Sequence, residues 1–124
     1  MTSTDPRHVL GRRGEDLAVD FFDRRGYLTL ARNWRCAYGE LDLVVFRSSD
    51  SDLRVIEVKT RQGSPKEFRP YEAVTSEKLD RIGEALARFL EEHPDLPQEA
   101  HVDVLAVTFI PGSVPVFQWV QDFE

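Results

Sequence analysis

The chain has 124 residues, 41% of them hydrophobic and 31% charged, with a formal net charge of −6, the profile of one globular domain over residues 1–124 and not of a disordered chain. A single cysteine, Cys36, excludes an intrachain disulfide, and three scattered histidines, His8, His93 and His101, lack the spacing of a zinc site. No apolar run reaches the roughly 18 residues of a membrane helix and no signal-like apolar segment opens the chain, so a cytoplasmic location is expected.

Residues 1–5 read as a flexible tail whose last member, Asp5, with Pro6 forms an N-cap and first-turn pair. A helix follows as far as Arg25, stopped by Gly26, with Leu17, Ala18, Phe21 and Phe22 on its apolar face. Glu15 lies only about 20° from Phe22 on the helical wheel and borders that face. The segment 27–33 predicts a short strand and 34–39 a loop. Residues 40–46 alternate Leu41, Leu43 and Val45 against Glu40, Asp42, Val44 and Phe46, and a polar turn over 47–52 returns the chain as a strand over 53–60, an antiparallel hairpin. Gly63, Pro65 and Pro70 mark 61–74 as a loop that, with Lys66 and Arg69, is expected to be mobile and to order over a substrate. Thr75 or Ser76 caps a second helix, which carries Leu79, Ile82, Leu86, Phe89 and Leu90 at helical spacing to Glu92. The longest apolar strand, 100–110, is expected at the centre of the sheet, and Pro111-Gly112 turns into a last strand over 114–120. The order is αβββαββ, an α/β fold with a mixed sheet flanked by helices.

The charge is uneven. Residues 1–61 hold eleven Lys/Arg against ten Asp/Glu, and residues 62–124 hold five against twelve. Between residues 24 and 39 stand Arg24, Arg25, Arg32 and Arg35 with no acid, interleaved with Tyr27, Trp34 and Tyr38. Cations among aromatics suit a phosphate backbone with exposed bases; a solvated loop around a buried Trp explains the same pattern.

The segment VIEVKTR, residues 55–61, plants Glu57 and Lys59 on one face of a strand whose other face is Ile56, Val58 and Thr60. Pairing with the preceding strand can bring Asp42 onto the same face, with Glu15 at its border. Carboxylates crowded among Leu, Val and Phe repel one another and lose hydration, and a divalent cation with oxygen ligands, Mg²⁺ or Mn²⁺, resolves both costs. Lys59 could then orient a water or neutralise charge on a phosphoryl group. A surface charge pair is the plain alternative for Glu57 and Lys59. Arg61 could contact phosphate or Glu57; Lys78, early in the second helix, could reach the site or only solvent. Glu40 shares the face of Asp42 but reads as an exposed strand-entry residue, and Cys36 has no nucleophile partner.

An acid on one strand followed by Glu-x-Lys on the next, after a glutamate-bearing helix, resembles the PD-(D/E)XK nuclease superfamily, which includes restriction endonucleases and Holliday-junction resolvases. More closely, GRRGEDLAVDFFDRRGY, ARNWR, YGELDLVV, IEVKTR, the helix bearing Lys78 and HVDVLAV resemble the YraN-like family of small bacterial proteins, from about Gly11 to Val107. The resemblance implies a restriction endonuclease-like αβββαβ core. It puts Glu15, Asp42, Glu57 and Lys59 in the four active-site positions and adds the Val58 carbonyl to Asp42, Glu57 and Glu15 as metal ligands. A Mg²⁺- or Mn²⁺-dependent DNA endonuclease is therefore expected, with branched or partly single-stranded DNA as candidate substrates, and the basic residues Arg32, Arg35, Arg61 and Lys78 read above are its candidate nucleic-acid contacts. The other reading is a nuclease fold that binds nucleic acid or assembles without turnover. Under either, a homodimer would double a sparse basic surface. Two departures stand out: Leu41 precedes Asp42 where the superfamily often has proline, and His101 stands where an arginine is expected. Asp103, on the face of His101, reads as a structural pairing residue.

Overall fold

A computed structural model describes residues 5–69, 72 and 74–123. The expected tail over residues 1–4 lies outside them; Asp5 does not belong to it, because its carboxylate accepts from the N–H of Arg7 at 2.9 Å and caps the first helix. That helix, α1 (Pro6–Asp23), ends before Gly26, whose φ of 85° lets the chain reverse. Three strands follow, β1 (Leu28–Cys36), β2 (Gly39–Arg47) and β3 (Asp52–Gln62). Helix α2 (Ser76–Glu92) then crosses to β4 (His101–Phe109), and β5 (Val116–Val120) closes the sheet. The chain therefore runs α β β β α β β, with a mixed sheet ordered β1-β2-β3-β4-β5. Only β3 and β4 are parallel, as a helical crossover permits; the other neighbours are antiparallel.

Two expectations change. The segment 34–39 is not a loop: β1 continues through Trp34 to Cys36, leaving only a two-residue turn at Ala37 and Tyr38. Trp34 sets that length by packing edge-on against Phe89 of α2, ring centroids 5.4 Å apart. The central strand is β3 rather than β4, since the antiparallel β5 adds outside β4.

Both sheet faces are covered. Ala18 and Phe22 of α1 pack on Leu43, Val45, Ile56, Leu105 and Val107. On the other face Ile82, Ala85, Leu86 and Phe89 of α2 pack on Leu41, Val44, Leu53 and Val55. Neighbouring residues of β2 and β3 thus serve opposite layers, which is why both strands read as nearly continuous apolar runs. Phe22 is fully buried, and its truncation to Ala would cost about 3–5 kcal/mol. Gly14 lets α1 lie close against the sheet: a Cβ there would run into the Thr60 hydroxyl.

The segment after β3 is packed in its described part. Pro65–Glu67 forms a 3-10 turn capped by Ser64, and Phe68 and Val74 are buried against Val104, Ala106 and Phe123. Residues 70, 71 and 73 lie outside the described set. The expected mobile loop is thus anchored at both ends by apolar side chains.

At the opposite end of the sheet lies a buried polar network. Asp103, fully buried, accepts from Arg54 Nη1 (3.0 Å), Trp119 Nε1 (2.8 Å) and the N–H of Asp122 (2.8 Å). Arg54 also donates to Asp52 at 3.0 Å, and Asp52 accepts from the Tyr27 hydroxyl. Pairing of this kind satisfies charges that burial would otherwise penalise.

Candidate active site

The site lies where the β2–β3 ladder ends. The strands pair from Arg47↔Asp52 to Leu43↔Ile56 and no further. One step beyond, the same register sets Asp42 opposite Glu57, but a side chain replaces the ladder: Asp42 Oδ2 accepts from the N–H of Val58 at 3.0 Å. The N–H and C=O of a residue in an extended strand point to the same edge, so the Val58 carbonyl is turned toward the same gap.

Asp42 and Glu57 both face α2. With Gly39, Glu40, Lys78, Arg81 and Ile82 they line a cavity of about 280 Å³. Gly39 makes this closeness possible, since a Cβ there would stand 3.1 Å from the Arg81 carbonyl oxygen. Glu57 is 3% exposed. Burial, and then the negative charge of Glu57 beside it, raise the Asp42 carboxyl to about 7, against the pull of the Val58 N–H. Two carboxyl groups from neighbouring strands thus share one desolvated place.

Two ammonium groups answer them. Lys59 Nζ stands 3.4 Å from Glu57 Oε1, and Lys78 Nζ makes an ion pair with that same oxygen. Burial lowers the Lys59 pKa despite the carboxylate of Glu57, and the charge of Lys78 adds to the lowering. The pKa of Lys78 moves the other way: its hydrogen bond to Glu57 raises it against the cost of burial. Lys78 sits in the first turn of α2, where its N–H is capped by Thr75 Oγ1 at 3.2 Å. A cation there opposes the helix dipole, and the pair with Glu57 offsets that cost.

Glu15 is not brought to this group. Gly14 packs on Thr60, which lies on the α1 side of β3, and Glu57 and Lys59 point to the α2 side. Glu15 instead accepts from Asn33 Nδ2 at 3.1 Å. Asn33, at φ 49°, falls at the register position facing Asp42, between Arg32↔Leu43 and Trp34↔Leu41. Among the described residues no three His, Cys, Asp or Glu side chains gather as a cation cage.

The basic stretch is largely engaged within the chain. Arg32 pairs with Asp16 at 2.7 Å, Arg35 with Glu40 at 3.4 Å and Arg24 with Asp20 at 2.9 Å, while Arg25 lies over the ring of Phe21. Tyr27 is buried and Trp34 packs in the α2 layer, so neither offers a stacking face; Tyr38 is exposed and lies under Arg88. Arg61 does not meet Glu57. It donates to the Glu67 carbonyl at 3.0 Å and, with Lys59, Phe68 and Arg69, lines a cavity of about 310 Å³ beside the site. His101 pairs with Asp122 at the far end of β4, and Cys36 is a free, half-buried thiol in the α2 layer.

Residues 14–107 match the family described as "Uncharacterised protein family UPF0102". The chain belongs to the UPF0102 family. It is 40% identical over 106 residues to a UPF0102 protein of Clavibacter michiganensis, covering 86% of this chain and 87% of the relative. It is 39% identical over 115 residues to one of Mycolicibacterium gilvum (93% of each chain), and 42% identical over 111 residues to one of Frankia alni (89% and 90%). The UPF0102 match runs from the middle of α1 through most of β4 and so includes every residue of the candidate site. Among the described residues, no helix is long and apolar enough to cross a membrane.

Proposed function

We propose that this UPF0102 protein is a metal-dependent phosphodiesterase of the PD-(D/E)XK nuclease type that acts on DNA. The observation that carries the reading is the end of the β2–β3 ladder, where Asp42 replaces a backbone acceptor and lies beside Glu57, with Lys59 two residues on along the same strand face. Desolvated carboxyls held together are costly, and nothing in packing requires them there.

The donor set fits Mg²⁺ or Mn²⁺. Two carboxylates from adjacent strands and the Val58 carbonyl supply hard oxygen ligands, and such ions commonly take one or two carboxylates and complete their shell with water and phosphate. A bound ion would supply Lewis-acid polarisation of a phosphate and acidify a coordinated water. The chain's own residues do the rest. Asp42 and Glu57 orient toward one point because the ladder on one side and α2 on the other fix them. Lys59 brings a cation from the same strand as Glu57, 3.4 Å from its carboxylate, suited to hold an attacking water or to meet charge on the phosphate. Glu15 stays outside this group, held by its hydrogen bond from Asn33 of β1. Arg61 and Arg69, in the neighbouring cavity, suit the flanking phosphates.

One observation favours a second reading, a nuclease fold that binds nucleic acid or assembles without turnover. Arg24, Arg32 and Arg35 are already paired with acids, which leaves a thin phosphate-binding surface unless DNA displaces those pairs or a second copy adds its own. The test is cleavage of duplex, flap, single-stranded and four-way-junction DNA in Mg²⁺ or Mn²⁺, with Asp42→Asn and Lys59→Ala as controls. Cleavage lost in both variants supports the enzyme; no cleavage of any DNA by the wild type leaves the second reading.

A further inference from the structure

Glu57 carries two ammonium partners where one would balance it. Lys59 comes from the same strand and stands 3.4 Å away, so its position follows from the backbone. Lys78 comes from α2 and is half-exposed at its side chain, yet it reaches a carboxylate that is 4% exposed. It reaches it from the first turn of a helix, where the dipole disfavours a cation. The cavity it enters is the one lined by Asp42 and Glu57, and its ammonium occupies Glu57 Oε1, one of the two carboxylate oxygens Glu57 could offer to an ion shared by the two acids.

We infer that Lys78 is an exchangeable counter-cation: it neutralises Glu57 when no metal is bound, and a divalent ion must displace it. This rests on the metal-dependent reading above. A long lysine suits the role, because four rotatable bonds let its charge leave without moving the helix. The Glu57 pair raises the metal-free stability of the site and, by the same amount, opposes the ion. Once displaced, the ammonium on the exposed first turn is free for a phosphate, so metal and DNA favour each other's binding through one side chain.

The test is Mn²⁺ binding, by calorimetry or by loss of the free-ion paramagnetic signal, to the metal-free full chain and its variants. Lys78→Met removes the charge and keeps the length; Gln is avoided because at the third helical position, after Thr75, it would create a capping box. Lys78→Met should bind Mn²⁺ about tenfold more tightly than the wild type, as expected when one competing unit charge leaves a partly solvated site. Its metal-free melting temperature should fall by a few degrees, while Lys78→Arg should resemble the wild type in both measurements. If the wild type binds Mn²⁺ through Asp42 and Lys78→Met binds no more tightly, the counter-cation role is refuted and the metal site stands. If neither wild type nor Lys78→Met binds Mn²⁺ at millimolar concentration, the metal site itself is refuted and the inference falls with it.

Discussion

Asp42→Asn should make the metal-free protein more stable, and more so at higher pH. In the wild type the Asp42 carboxyl is held at about 7, from an ordinary value of 3.8, by burial and by Glu57. An acid whose folded pKa is raised binds its proton more tightly in the folded state. Stability contributed by that proton is therefore full below about pH 4 and is lost as pH rises toward 7. At 1.36 kcal/mol per pKa unit, complete ionisation costs the fold about 4 kcal/mol. Asparagine cannot ionise, and its side-chain oxygen still accepts from Val58, so the variant escapes the cost without losing the hydrogen bond. Urea unfolding in EDTA at pH 4 and pH 8 should show the gap between variant and wild type widening by roughly 2–4 kcal/mol in the variant's favour. In Mg²⁺ at pH 8 the wild type should regain stability, by about 2.7 kcal/mol at a hundred times Kd, and Asp42→Asn should not. Parallel pH curves for the two proteins in EDTA would refute the crowded-carboxyl account of this site.

Three further outcomes are expected. Lys59→Ala should slow single-turnover cleavage about 10²–10³-fold, the usual loss for one electrostatic group at the reacting atoms; DNA affinity in Ca²⁺ should barely change, and an equal loss of affinity would reduce Lys59 to a binding residue. Arg32→Ala and Arg35→Ala should each weaken DNA binding and flatten the log–log salt dependence by about 0.9, one phosphate contact; an unchanged slope in fluorescence anisotropy would confine these arginines to their pairs with Asp16 and Glu40. Gly14→Ala should destabilise the fold by roughly 1–3 kcal/mol in urea, because the new methyl meets the Thr60 hydroxyl; adding Thr60→Ala should recover most of the loss, and absence of recovery would mean that the helix, not the contact, is at fault.

The element order was legible from apolar residues every three or four positions in α1 and α2, short apolar runs in the strands, and turn residues between them; the alternation of β2 was not, since Leu41 packs in the α2 layer while Leu43 and Val45 pack in the α1 layer. The juxtaposition of Asp42 and Glu57 was legible too, since a hairpin with a tight turn leaves few registers. The length of β1 was not, because what extends it to Cys36 is the contact of Trp34 with Phe89 of α2, more than fifty residues later in the chain. Glu15 shows a different limit. The helical wheel places it beside the apolar stripe of α1 but says nothing of which sheet face that stripe covers. In β3 both faces are apolar, Leu53 and Val55 on one and Ile56 and Val58 on the other, so the strand pattern cannot decide it either.

Lys78 carried a signal of another kind. A cation at the third position of a helix opposes the dipole, and a sequence that accepts this cost has a partner for the charge. The first turn of α2 contains one acid, Glu77, and no other compensation, so the partner had to come from the sheet. The carboxylates lining the cavity that Lys78 enters are Glu40, Asp42 and Glu57, and Glu40 is paired with Arg35, while Asp52 and Asp103 are taken by Arg54 at the far end of the strands. Asp42 already accepts from the Val58 N–H and holds its proton to about 7. Glu57 is left to draw Lys78 inward, and the same buried charge that lets the lysine cross the helix's unfavourable field is the one a metal would claim.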